Sequence, residues 1–181
     1  NPHKHVTEEL LIVKEGEITL TIESKIYKMI ANDVAIIKPG ETHGIVNESN
    51  KKATYLVMVF EANYEVPNSD TDSSFVIHWN DLAYKTHDLG GRRNVFDKKT
   101  SQSKRFEMHV TTLKTGNQSH APHTHRAAEI LIPIEGKTEE FIENQWVKSS
   151  VGDIIFLESK VPHALKNVGK GQCTYFAFQF E

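Results

Sequence analysis

Several things are scarce in this sequence. Among 181 residues there is one cysteine, Cys173, which excludes an intrachain disulfide and a thiolate metal cluster. Apolar runs are short: the longest, such as residues 55–60, fall far below the ~20 residues that span a bilayer as a helix, so no transmembrane segment and no membrane partner are expected. Basic charge is not in surplus. Lys and Arg total 21 against 24 Asp and Glu, for a formal net charge of −3. The basic residues are scattered, with never more than two in a row, which argues against nucleic acid as the main partner. No convincing 3.6-residue amphipathic period is present. Neither an initiator Met nor a signal peptide precedes the opening Asn-Pro-His-Lys-His, so the cytoplasm and export after signal removal are both left open. The composition that remains, 38% hydrophobic and 25% charged, suits one or two small soluble domains.

Against these absences stand ten histidines, and an internal repeat explains most of them. Residues 1–61 align with 121–181 at a constant offset of 120 without a gap, and 18 of the 61 pairs are identical. His3, His5, Glu9, Gly16, Asp33, His43, Asn47 and Tyr55 fall on His123, His125, Glu129, Gly136, Asp153, His163, Asn167 and Tyr175. Gap-free matching over a whole unit implies two copies of one domain. The second copy is preceded by a long segment, roughly 75–121, whereas only two residues precede His3. The expected organisation is a first domain over 1–61 lacking its leading strands, a linker over 62–74 rich in Ser, Asp, Asn and Pro, and a second domain over 75–181.

Short β-type runs dominate both copies: 10–13, 18–22, 34–37 and 55–60 in the first, and 106–113, 130–134, 154–157 and 174–180 in the second. Turn residues separate them at about 8–12 residue spacing, the pattern of an all-β sandwich or barrel. Asn32 stands where the second copy has Gly152, and Asn tolerates left-handed geometry, so that turn is expected to survive. A short helical turn is expected near 80–84.

Alternate side chains of a strand share a face. His3, His5 and Glu9 therefore share one face, as do His123, His125 and Glu129. His43 and His163 each lie 34 residues after the Glu, on a strand able to return to it. Three imidazoles and a carboxylate, without thiolate, suit one divalent metal per barrel of the Mn, Fe, Co or Ni type, with Zn also compatible. Packing or surface roles are the competing reading for any single His-x-His, but not for the whole set repeated at identical spacing. His78 and His87 read as surface or loop residues and His120 as a rim residue, while His109 lies on a strand leading toward the second site.

The spacing Gly116-x6-His123-x-His125-x3-Glu129-x6-Gly136 resembles the first cupin motif, and Gly152-Asp153 with Pro162-His163-x3-Asn167 resembles the second. His3-x-His5-x3-Glu9-x6-Gly16 and Pro39-x3-His43-x3-Asn47 are similar to the same two motifs, without the opening glycine. Asn32 and Ser159 depart from the second motif. The stretch 90–121 resembles that of bacterial bicupins. The resemblance implies two tandem cupin barrels of the double-stranded β-helix, jelly-roll class, with metal held at the His and Glu positions.

Differences between the copies point to the second as the working one. Ile18, Leu20 and Ile22 become Thr138, Glu140 and Ile142. Glu140 either faces the interior, where a buried acid near a metal suits a general base, or faces solvent if the strand parity is reversed. Val59 becomes Gln179 and Val6 becomes Arg126, which either meets a carboxylate at the barrel mouth or is solvated. Tyr175 lines a pocket or packs. Cys173, aligned with Ala53, reads as a small buried apolar residue, and Arg92-Arg93 as a loop. Two functions compete: a metal-dependent enzyme on a small carboxylate or sugar-like molecule (dioxygenase, decarboxylase, isomerase, lyase or hydrolase), and a non-catalytic module that binds or senses a sugar or acid around a structural metal. Open sheet edges in the first copy would be covered by a second chain, so a homodimer is expected.

Overall fold

The computed structural model describes residues 1–62 and 73–181; most of the linker expected over 62–74 lies outside them. The chain divides into two compact units. Unit 1 comprises Asn1–Leu82 with Lys99–Lys104, and unit 2 comprises Ala83–Lys98 with Arg105–Glu181. Residues 75–82 and 99–104, expected within the second domain, group with unit 1. The reason is pairing: residues 75–77 form a strand against the first copy, and Asp33 holds His78 and Trp79 directly after it.

Unit 1 contains β1 (Glu8–Glu15), β2 (Glu17–Ile22), β3 (Lys25–Ile30), β4 (Val34–Ile37), β5 (His43–Val46), β6 (Thr54–Phe60) and β7 (Phe75–Ile77). They form two antiparallel sheets, β6-β1-β4-β7 and β3-β2-β5. Leu11, Val13, Ala35 and Ile37 from one sheet meet Ile18, Leu20, Ile22 and Met29 from the other, each at most 3% exposed. At ~1.5–3 kcal/mol for each fully buried Leu, Ile, Val or Met, this cluster is the main source of the unit's stability. The single turn of 3₁₀ helix at Trp79–Asp81 stands close to the helical turn expected near 80–84. It is tied down by Asp33, which is 1% exposed and accepts from the backbone N–H of Trp79 (2.7 Å) and of Ile30 (2.9 Å) and from His78 (2.9 Å). His78, a partly exposed loop residue as expected, thus also anchors this segment. On β1, Glu8 is fully buried and accepts from the Ser101 N–H at 2.8 Å; burial raises its carboxyl above the usual range against the lowering effect of Thr100, Ser101 and Gln102.

Unit 2 contains β8 (Lys85–His87), β9 (Gly90–Lys98), β10 (Phe106–Leu113), β11 (Ala128–Glu135), β12 (Lys137–Ile142), β13 (Gln145–Ser150), β14 (Ile155–Leu157), β15 (His163–Asn167) and β16 (Cys173–Phe180). Its sheets run β14-β11-β16-β10-β9-β8 and β13-β12-β15. The core gathers Leu113, Leu131, Leu157, Leu165, Cys173, Tyr175 and Ala177. Among the described residues, unit 1 has no counterpart of β8, β9 and β10.

The corner between the two sheets is the same in both units. Gly16 and Gly136 have φ of +78° and +82°. A Cβ on Gly136 would lie 2.8 Å from the Cα of Cys173, and one on Gly16 2.9 Å from the Cα of Ala53. Only glycine meets both the left-handed conformation and the close approach. Asn32 takes φ +73° where Gly152 takes +95°, so the turn survives the replacement. Among the described residues no helix is long and apolar enough to cross a membrane.

Candidate metal centres

In each unit one backbone ladder places the key histidines. His3 and His43 exchange both N–H···O bonds, at 2.9 and 2.8 Å, and His123 and His163 do the same at 3.1 and 3.0 Å. Such a pair is directly opposite across an antiparallel bridge, which brings together residues 40 apart in sequence. The carbonyl of His5 accepts from Gly40 and that of His125 from Lys160, both at 2.8 Å, pinning the His-x-His segments alike. Strand β1 or β11 then delivers Glu9 or Glu129, each 6% exposed.

The ring nitrogens converge as the sequence predicts. The ligand atoms of His3, His5 and His43, and those of His123, His125 and His163, lie within 4.8 Å of one another. Glu9 Oε2 is 3.0 Å from His5 Nε2 and 3.7 Å from His43 Nε2. Glu129 Oε2 is 3.1 Å from His125 Nε2 and 2.9 Å from His163 Nε2. Nδ1 is spoken for in most of these rings: it donates to the carbonyls of Thr7 and Glu41 from His5 and His43, and of Ala127 and Val161 from His125 and His163, at 2.8–3.0 Å. A backbone carbonyl on Nδ1–H leaves the Nε2 lone pair facing inward, the usual arrangement of a metal-ligating imidazole.

The residues fit a bound ion. His43 Nε2 and His163 Nε2 are buried without a hydrogen bond; His163 Nε2 is close to Glu129 but not aligned as a donor to it. Two donors each about 2.0–2.2 Å from one ion at adjacent positions lie about 3 Å apart, the separation of Glu129 Oε2 from His125 and His163 and of Glu9 Oε2 from His5. Burial alone would raise the Glu129 carboxyl, but His163 and His125 hold it below the usual range. Conversely, burial would lower His163, and Glu129 with the Val161 carbonyl raises it. His123 is lowered by burial and by the neighbouring His120, His163 and His125.

The unit 2 centre opens onto a cavity of about 290 Å³ lined by His123, His163 and Glu129 and by His109, Tyr175 and Gln179. Gln179 reaches to 3.3 Å from His125 Nε2. Tyr175 is 4% exposed, and burial pushes its phenol well above the usual range. The structure departs from expectation at two candidate residues. Glu140 does point inward, at 1% exposure, but does not line the cavity. Its β12 pairing is with Leu165, two positions beyond the Ile142–His163 pair, and its Oε1 accepts from Thr138 and Ser149 at 2.9 Å. A general-base role at the metal is therefore not open to it. Burial raises its carboxyl, against the lowering effect of Ser149 and Thr138. Arg126, 77% exposed in its side chain, pairs with Glu181 at 3.1 Å and likewise stands off the cavity.

Other residues enter the site unannounced. His120, expected at the rim, packs edge-on with its ring centroid 4.0 Å from that of His123. His87, Arg92 and Thr111 also line the cavity, and behind His109 lies Glu107. A parity signal for Glu107 exists: with His109 and Thr111 it occupies alternate positions of one apolar-flanked strand. The motif asparagines serve loops: Asn167 donates to the Leu113 and Gly171 carbonyls and accepts from Gly169 N–H.

Comparison with solved structures gives the fold. AerE from Microcystis aeruginosa superposes with a TM-score of 0.79 at 21% identity, covering 100% of this chain and 81% of that one. A putative glyoxylate-induced protein from Pseudomonas aeruginosa gives 0.79 at 20% identity, covering 99% and 68%. Oxalate decarboxylase from Bacillus subtilis gives 0.76 at 14% identity, covering 98% and 63%. No curated protein sequence matches the chain. The sequence pattern of the cupin domain matches residues 1–60 and again 109–178. With two such matches on two β-sheet units, each built around its own His-His-Glu-His set, the chain belongs to the cupin domain family.

Proposed function

We propose that the protein is a metal-dependent enzyme acting on a small carboxylate or sugar-like molecule in the unit 2 cavity. The observation that carries this reading is the meeting, in one cavity of about 290 Å³, of a metal-ligand set with polar groups the ligand set does not use. His123, His125, Glu129 and His163 would hold the ion there, and His3, His5, Glu9 and His43 a second one in unit 1. A divalent ion of the Mn, Fe, Co, Ni or Zn class supplies a Lewis acid for substrate oxygens. Tyr175 donates a hydrogen bond, Gln179 and Thr111 orient, and the walls of β10 and β16 exclude bulk water. The cavity volume lies at the lower end of small-molecule sites, which favours a compact substrate.

Metal analysis of the purified protein, followed by a metabolite turnover screen with His123→Ala as control, tests the reading. Bound metal and turnover lost in the variant are the expected result. Turnover untouched by the variant overturns the assignment to unit 2. Tight binding of an acid or sugar without turnover would instead establish a binding or sensing role.

A further inference from the structure

The unit 2 cavity contains an acid–base apparatus separate from the metal ligands. Glu107, His109 and Thr111 occupy alternate positions on β10. His109 Nδ1 lies 2.9 and 3.0 Å from the two oxygens of Glu107, which is itself 7% exposed. Arg92 of β9 donates from Nη2 to Glu107 Oε1 at 2.8 Å, while its Nε donates to Asn94 at 2.8 Å. The guanidinium stabilises an ionised carboxylate, and an ionised carboxylate only accepts. Nδ1 of His109 therefore carries the hydrogen, and the Nε2 edge is left for the cavity that His109 lines together with His123, His163 and Glu129.

We propose that His109 is the proton-carrying residue of this cavity, held in its tautomer by Glu107 and Arg92 as positioning residues, and that the substrate is a small oxo or hydroxy acid. The inference rests on the reading of unit 2 as the working, metal-holding half. A small oxo acid offers oxygens to a divalent ion and an acidic C–H beside a carbonyl. In the step, that C–H bond breaks and an N–H bond forms at Nε2, while the electron pair moves onto the carbonyl as an enolate. Once the Nε2 proton has exchanged with water, its return to the same carbon completes a hydrogen exchange, and delivery of the proton to a different carbon of the enolate system completes an isomerisation, so no oxidant or reductant is required. Glu107 stabilises the imidazolium that forms between the two transfers, and the guanidinium of Arg92 holds the carboxylate in place. Unit 1, among its described residues, has a ligand set but no such relay.

Two measurements on zinc-loaded protein test the proposal. In the first, long-range ¹H–¹⁵N NMR of ¹⁵N-histidine protein reads the tautomer of His109. Nδ1–H is expected in the wild type, with a shift toward Nε2–H in Glu107→Leu; Glu107→Gln serves if that variant does not fold. In the second, deuterium uptake into the methyl group of pyruvate in D₂O is followed by ¹H NMR. His109→Gln is expected to slow uptake by about 100-fold or more with its zinc content unchanged. An Nε2–H tautomer in the wild type, or uptake by the zinc-loaded wild type no faster than by His109→Gln, overturns the proposal. Failure of unit 2 in the wild type to bind zinc, manganese, iron, cobalt or nickel overturns instead the proposed function on which it stands.

Discussion

Strands β6 and β16 carry the same Tyr and the same closing Phe, yet they live in different surroundings. In β16, Tyr175 is 4% and Ala177 1% exposed; in β6, Tyr55, Val57 and Val59 are 41%, 43% and 58% exposed. The difference is one neighbour. β16 lies between β11 and β10, whereas β6 pairs with β1 alone among the described strands. The added strands β8–β10 turn the face of β16 into a cavity wall and bring His109, Glu107 and Arg92 to it. The repeated 61-residue pattern alone thus brings three histidines and a glutamate together in each unit, whereas His109 and Arg92 of the unit 2 cavity come from outside that pattern.

The comparison can be broken most sharply at the ligands. His163→Ala and His43→Ala should each remove one ion, weakening their own centre by at least about 100-fold and leaving the other loaded. Turnover should vanish only in His163→Ala. Metal titration with an activity readout decides it, and loss of turnover in His43→Ala would refute the assignment of work to unit 2.

Asp33 and Asp153 are aligned by the repeat but differ in load. Asp33 is buried with three partners, whereas exposed Asp153 accepts from the Ser150 N–H. Asp33→Ala should cost about 2–4 kcal/mol and Asp153→Ala about 1 kcal/mol or less, as measured by denaturant unfolding; equal costs would show that the β7 attachment does not matter to unit 1.

Leu20 and Glu140 oppose an apolar and an acidic residue at one core position. Glu140 Oε2 is buried without a partner, so Glu140→Leu should stabilise unit 2 by about 1–3 kcal/mol. The sign of its pH dependence follows from the raised carboxyl: the folded state favours the protonated acid. Its contribution is whole below the usual carboxylate value of about 4.3 and is lost as pH rises through the raised one. Glu140→Gln should remove that decline, and an unchanged stability–pH curve in this variant would rule it out.

The smallest effect concerns Gly40 and Lys160, matched residues with φ of +81° and +67°. Lys160→Gly should relieve a left-handed strain of about 1 kcal/mol. A loss of thermal stability would show that the Lys side chain does more than tolerate its turn.

The two-copy organisation and the convergence of both histidine clusters were legible in the sequence because spacing encodes them. Strand parity aligns His123, His125 and Glu129, and gap-free repetition exposes His163. The Asn32 turn was legible for the same local reason. Pairings between distant strands were not. Arg92 reads as a loop residue in sequence, yet β9 pairs with β10 through a bulge near Met108 and His109, and that irregular register brings Arg92 to Glu107. Glu140 shows the limit of parity: it gives the correct face but not the depth along the barrel, and depth is what separates Glu140 from the cavity.

Cys173, packed against the Gly136 corner, has a further use. It is fully buried, burial pushes its thiol up to about 11, and it is the only cysteine in the chain. A thiol so placed is inert while the core is closed and reacts only when that core opens. The rate at which an alkylating reagent modifies the native protein is therefore a clock for the opening of unit 2 alone, read without any added probe, and unit 1 cannot contribute to the signal.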